Sequence, residues 1–113
     1  MSDITEDQFW NTLNEPEPEI EIFHTFKIYY WYNEQNKIHR ENDLPAEIWY
    51  CKDRFIYRKI WYQNGKMHRV DGPAMIWYHS NSNGNIEEEY WYLNGEEYTE
   101  ENYWKKLKEL GYE

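Results

Sequence analysis

A chain of 113 residues is long enough for one domain with one modest core. It holds 22 acidic and 12 basic side chains, a net charge of -10, which argues against direct binding to duplex DNA, because that needs a cationic surface. Phe, Trp and Tyr make up 20% of the residues, against a disordered or low-complexity chain, and the single cysteine, Cys51, excludes an intrachain disulfide.

No apolar run approaches the ~18 residues of a membrane helix. Met1-Ser2-Asp3-Ile4-Thr5-Glu6-Asp7 has neither the basic nor the apolar region of a secretion signal, so a soluble, cytoplasmic protein is expected. Residues 1–113 read as a single domain in three parts: an acidic segment over 1–22, a sheet over 23–98 and a helix over 99–113.

The first part carries seven acids and no base. Thr5 is a predicted N-cap, with Gln8 in the capping-box position and Ile4 and Phe9 as a hydrophobic staple. Phe9 and Leu13 give this short helix a small apolar stripe. Glu15-Pro16-Glu17-Pro18 follows as a stiff extended connector, because proline ends a helix and favours extended backbone.

The middle part is organised by an internal repeat. Trp31-Tyr32, Trp61-Tyr62 and Trp91-Tyr92 are spaced by 30 residues. The fullest copy runs from Trp61-Tyr62-Gln63-Asn64-Gly65-Lys66-Met67-His68-Arg69 through Val70-Asp71-Gly72-Pro73-Ala74 to Trp77-Tyr78. The copy from Trp31 to Tyr50 is two residues longer between Trp and Pro45. The last copy stops at Tyr98, which stands in the place of His68. Asn64-Gly65 and Asn94-Gly95 predict type I′ hairpin turns, in which both central residues need positive φ. Trp61 is then expected opposite His68, and Trp91 opposite Tyr98. Asp71-Gly72-Pro73 should break the ladder, since proline donates no hydrogen bond. Adjacent Trp and Tyr point to opposite faces, so one face is expected to be lined with Trp and the other with Tyr. With only ten Ile, five Leu and one Val, the core must be largely aromatic.

In the last part Thr99 is a predicted N-cap, followed by Glu100 and Glu101, which suit the helix dipole. Tyr103, Leu107 and Leu110 share one face, and Gly111 is the predicted stop. The fold class is therefore mainly β: a twisted antiparallel sheet of hairpin repeats with short N-terminal and C-terminal helices.

The pattern Trp-Tyr-x-Asn-Gly-x-x-His-Arg-x-Asp-Gly-Pro-Ala, carried by residues 61–74, resembles a variant of the membrane-occupation-and-recognition-nexus (MORN) repeat. Such variants recur in proteins of bacteria, bacteriophages and large viruses. Residues 31–46 match with substitutions and an inserted pair, and residues 91–98 match the front half. The resemblance covers about residues 28–98 and implies a hairpin-repeat sheet with a binding role. It supplies no catalytic residue.

No catalytic motif is found, and an enzyme is not expected: the glycines form no phosphate-cradling loop, and Ser2, Ser80 and Ser82 fall in expected loops or termini. No cofactor is implied. Corresponding positions of successive two-stranded units lie ~9–10 Å apart, too far for His39 and His68 to share a metal ion. Trp31, His39, Arg40, Trp61, His68, Arg69, Asp71 and Trp77 form the candidate binding set, able to stack on a base, hold a phosphate or anchor a protein. The alternative for the same residues is structural, with Arg paired to Asp across the bend and His packed on Trp. Glu15, Glu17, Glu19, Glu21, Glu87, Glu88 and Glu89 are the acids expected to face a basic partner.

The expected function is a non-catalytic protein-interaction module. Given the resemblance, a small acidic phage or viral accessory protein fits, one that binds and inhibits a host nucleic-acid-binding or defence protein. The alternative is a nucleotide binder or sponge that uses the Trp/His/Arg face. No membrane partner is expected, and exposed sheet edges allow a homodimer.

Overall fold

The computed structural model describes residues 15–51, 55–79 and 84–112. Their strands are β1 (Glu19–Ile22), β2 (Phe26–Tyr30), β3 (Glu47–Cys51), β4 (Ile56–Ile60), β5 (Tyr62–Gln63), β6 (Lys66–Met67), β7 (Met75–Tyr78), β8 (Ile86–Leu93) and β9 (Glu96–Tyr98). One helix, α1 (Glu100–Glu109), follows. Seven strands form an antiparallel sheet in the order β1-β2-β3-β4-β7-β8-β9, and β5 and β6 form a separate small hairpin. The chain meanders and leaves the sheet twice, between β2 and β3 and between β4 and β7. Each excursion holds a short antiparallel turn, marked by the Tyr32–Ile38 bridge in the first and by β5–β6 in the second.

The turns follow the sequence. Asn64 and Gly65 have φ 52° and 85°, and Asn94 and Gly95 have φ 52° and 86°, the positive values a type I′ turn demands. The expected registers hold: His68 N–H donates to Trp61 O at 3.1 Å, and Trp91 pairs with Tyr98. Asp71–Ala74 lies outside any strand, as the proline predicts.

Register and alternation assign two faces. The first carries Tyr29, Ile48, Tyr50 and Ile76, with Trp31 and Trp61 beside them, and all six are buried. Three apolar clusters run along it: Tyr29, Trp31, Ile48 and Tyr50; then Trp61, Ala74 and Ile76; then Leu93, Tyr103 and Leu107. Fully burying each large apolar side chain contributes ~1.5–3 kcal/mol. Helix α1 supplies the last cluster. Its cap is the expected one, with the Thr99 hydroxyl accepting from Asn102 N–H at 3.2 Å. Leu110 of the expected stripe is exposed, while Tyr103 and Leu107 are buried.

The second face carries Phe26, Ile28, Tyr30, Glu47, Trp49, Arg58, Ile60 and Trp77. The expected segregation of Trp from Tyr holds for Trp31, Trp61 and Trp91, which share the first face, and is corrected for the rest. Trp49 and Trp77 lie on this face, and Tyr29, Tyr50 and Tyr78 lie on the face of Trp31 and Trp61. The excursions shift strand parity, so the Trp-Tyr pairs before and after each one fall with opposite faces up.

A second correction concerns the start of the sheet, which begins at Glu19 and not at residue 23. Glu19-Ile20-Glu21-Ile22 alternates polar and apolar residues and pairs with β2 from Glu19↔Tyr30 to Ile22↔Lys27. The predicted N-terminal helix lies outside the described residues.

Candidate functional site

The His-Arg pairs sit where the excursions return to the sheet, and they make corresponding bonds. Trp31 N–H donates to Ala46 O at 2.9 Å and Trp61 N–H to Ala74 O at 2.7 Å, while His39 N–H donates to Trp31 O at 3.0 Å and His68 N–H to Trp61 O at 3.1 Å, which sets the following Arg beside its own Trp. The Arg40 guanidinium lies 3.9 Å from the Trp31 ring centre, and Arg69 lies 3.9 Å from that of Trp61. Each donates to a proline carbonyl at 3.1 Å, Arg40 to Pro45 and Arg69 to Pro73. Each also forks onto a carboxylate. Arg40 meets Glu15 through Nη2 at 2.8 Å and Nε at 3.2 Å, and Arg69 meets Asp43 through Nε at 3.0 Å and Nη2 at 3.2 Å. The partner of Arg69 is thus an acid from the preceding excursion, and Asp71 across the bend stays exposed. Arg, not His, packs on the Trp. Burial pulls the Arg40 guanidinium below its ordinary pKa, with Glu15 opposing that shift.

The histidines tie one turn to the next. Asn64 N–H donates to His39 Nδ1 at 3.0 Å, and Asn94 N–H donates to His68 Nδ1 at 2.9 Å. Beside them Gly65 N–H reaches Ile38 O and Gly95 N–H reaches Met67 O, both at 2.8 Å. Burial lowers the His68 pKa, in keeping with an Nδ1 that must stay unprotonated to accept.

The row ends at α1. Gln63 Nε2 donates to Arg40 O at 2.8 Å, whereas the Tyr103 hydroxyl donates to Arg69 O. Trp91 has no Arg of its own, and its ring meets Tyr103 at 5.0 Å and Trp104 at 5.7 Å.

The second face presents different chemistry. Phe23 and Phe26 stack at 4.5 Å and Phe26 and Trp49 at 5.1 Å. The Arg58 guanidinium then sits between Trp49 at 3.8 Å and Trp77 at 4.2 Å. From Phe26 onward each stacked group comes from the next strand, at the ~4.8 Å strand spacing, and Phe23 lies in the turn before β2. Around this ladder, aromatic groups bond to carboxylates: Trp49 Nε1 to Glu47, the Tyr30 hydroxyl to Glu21 at 2.7 Å and the Tyr90 hydroxyl to Glu88 at 2.9 Å. Glu47 is 8% exposed, and burial raises its pKa against the pull of Trp49 and Arg58. The hydroxyl of Tyr62, half-buried and near Glu47, is pushed up to about 12 by desolvation and that carboxylate. Ile28, Glu47 and Ile60 of this face are buried, while Glu19, Glu21 and Glu88 are exposed on it; α1 packs on Trp91 and Leu93, which point to the first.

The residues singled out from the sequence are thus divided. Trp31, His39, Arg40, Trp61, His68 and Arg69 come together in the row between excursions, and their polar groups are engaged within the chain. Trp77 lies in the ladder on the second face. Of the acids, Glu15 holds Arg40, and Glu17 is exposed in the connector. Glu19, Glu21 and Glu88 face the second side, while Glu89 pairs with Ile76 and faces the first. Glu87 lies in the irregular stretch opposite Trp77 and Tyr78 and is exposed. A groove of about 700 Å³ between the turns is lined by Lys37, Lys66, His68, Arg69 and Asp71. Among the described residues, no group of three or more His, Cys, Asp or Glu could hold a metal ion.

Sequence reasoning missed Glu47, Trp49 and Arg58. Trp49 and Trp77 occupy corresponding places three residues after Ala46 and Ala74, a signal that was present, but Arg58 has no counterpart in the pattern. Comparisons of the chain with protein-family models, with curated proteins and with solved structures give no match.

Proposed function

We propose that this chain is a non-catalytic protein-interaction module that receives a basic surface of a partner on the exposed carboxylates of the second face. The observation that carries it is the make-up of that face. Glu19, Glu21, Glu88 and Glu97 point to it and are exposed, and its one described strand cation, Arg58, is locked between two tryptophans. Half-buried tyrosines lie among the carboxylates, so an incoming Lys or Arg meets both an opposite charge and an aromatic ring. The corresponding bonds of Trp31 and Trp61, His39 and His68, and Arg40 and Arg69 support reading the chain as MORN-like hairpin units stacked side by side, with α1 as the end cap. The wider reading is a cytoplasmic accessory protein of phage or viral origin that occupies the nucleic-acid-binding surface of a host protein.

The test is capture from host lysate at low and high salt, using the native chain and a Glu19→Lys/Glu21→Lys/Glu88→Lys variant. A basic partner held by the native chain at low salt and lost by the variant supports the proposal. A partner retained equally by both refutes the assignment to this face.

A second reading draws on the groove between the turns. Lys37 and Lys66 line it and suit a nucleotide phosphate. A nucleotide that quenches Trp fluorescence and raises the melting temperature would favour it over the first.

A further inference from the structure

We propose that the outer edge of β1 takes up an additional strand from the partner, and that the incoming segment alternates Lys or Arg with aliphatic residues. This rests on the reading of a basic partner and specifies how that partner is held.

Among the described strands β1 is the outermost of the sheet, and all four of its residues are exposed. Ile20 is 43% exposed and Ile22 is 80% exposed, high values for aliphatic side chains in a strand. The direction of the backbone groups follows from two neighbouring bonds. Phe23 N–H donates to Phe26 O at 2.8 Å, and Trp31 N–H donates to Ala46 O at 2.9 Å. Bonding groups alternate along an antiparallel ladder, so Glu19 and Glu21 turn theirs towards β2. Ile20 and Ile22 therefore turn their N–H and C=O groups outwards, where a new strand would bond.

The side chains add the selectivity. Glu19 and Glu21 point to the second face and Ile20 and Ile22 to the first. A strand laid ~4.8 Å from β1 sets alternate side chains beside the two carboxylates and the others beside the two isoleucines. Main-chain bonds then supply affinity and the alternation supplies specificity. The opposite edge is a poorer template, because β9 has three residues and runs through Thr99 directly into α1. A second copy of the chain is a poor occupant of the β1 edge. Pairing β1 with β1 would gather Glu19 and Glu21 with their copies on one face, and like charges opposed across strands are destabilising.

The test uses the full chain and three eight-residue peptides: Lys and Val alternating, the same composition as a Lys block followed by a Val block, and Glu and Val alternating. Binding is read by fluorescence anisotropy, and amide exchange is followed by NMR. The alternating Lys/Val peptide should bind about tenfold tighter than the block peptide, a difference equal to about 1.4 kcal/mol. It should also slow exchange at the Ile20 and Ile22 amides. Ile20→Pro, which removes an outward donor and leaves the bonds to β2, should cost about tenfold in affinity. Glu19→Lys/Glu21→Lys should turn the preference to the Glu/Val peptide. Equal binding of both Lys peptides with unchanged exchange at Ile20 and Ile22 would overturn strand addition and leave the basic-partner reading standing. No binding of either Lys peptide would overturn both. A homodimer that Ile20→Pro dissolves would overturn the choice of occupant.

Discussion

Arg40→Met and Arg69→Met remove the same kind of clamp from two differently buried places, so their costs should differ. Arg40 is 2% exposed, and the Glu15 side chain is 14% exposed. Removing the guanidinium strands a carboxylate out of water, which costs ~3–5 kcal/mol where one partner of a buried pair is deleted. The Asp43 side chain is 41% exposed, so water takes over much of the lost interaction with Arg69. What remains there is the bond to the Pro73 carbonyl and the contact with Trp61, together ~1–2 kcal/mol. The difference expected between the two variants is about 2 kcal/mol. Urea unfolding followed by tryptophan fluorescence measures both. A Glu15→Gln change in the Arg40→Met background should recover part of the loss, because the stranded charge is then gone. Equal costs for the two variants, or no recovery by Glu15→Gln, would refute the reasoning that burial of the acid sets the cost.

Three other outcomes are expected. Arg58→Met removes a cation from between two indole rings and should cost ~1–3 kcal/mol in the same assay, whereas Arg58→Lys, which cannot lie flat on both rings, should restore only part. Glu47 has a folded pKa above its unfolded value, so its contribution to stability is fully present below the ordinary carboxylate range and lost as pH rises through the folded pKa; Glu47→Gln should gain on the native chain over that rise, as read by unfolding at several pH values. His68 has a folded pKa below its unfolded value, so its contribution is present above the ordinary His range and lost as pH falls through the folded pKa. In His68→Ala the corresponding part of the acid loss should vanish, and an unchanged profile would show that the bond from Asn94 N–H does not govern it.

The parts of the fold that could be read in the sequence were those set by local chemistry. Asn-Gly dictates its turn, and the turn dictates that Trp61 faces His68. Thr99 and the two following glutamates dictate where α1 begins. Contacts between units were not legible. Arg69 finds its carboxylate on Asp43, 26 positions earlier, and no spacing rule distinguishes Asp43 from the nearer Asp71. The faces of Trp49 and Trp77 were misread for a related reason, because alternation counts residues along a strand and the excursions interrupt that count. β1 was overlooked because Pro16 and Pro18 drew the reading towards a connector, although Glu19-Ile20-Glu21-Ile22 alternates as a strand does. The candidate site followed the same division. The repeated His and Arg stood out because they recur, while Glu47, Trp49 and Arg58 acquire their meaning only when β3 and β4 lie side by side.

The most direct test of the central claim is a map of amide chemical shifts in the labelled chain as an eight-residue lysine peptide is added at low salt. The account predicts changes grouped on β1, on Tyr30 of β2 and around Glu88 of β8, all fading as salt is raised. Changes confined to the groove of Lys37, Lys66, His68 and Arg69, or no changes at all, would contradict it.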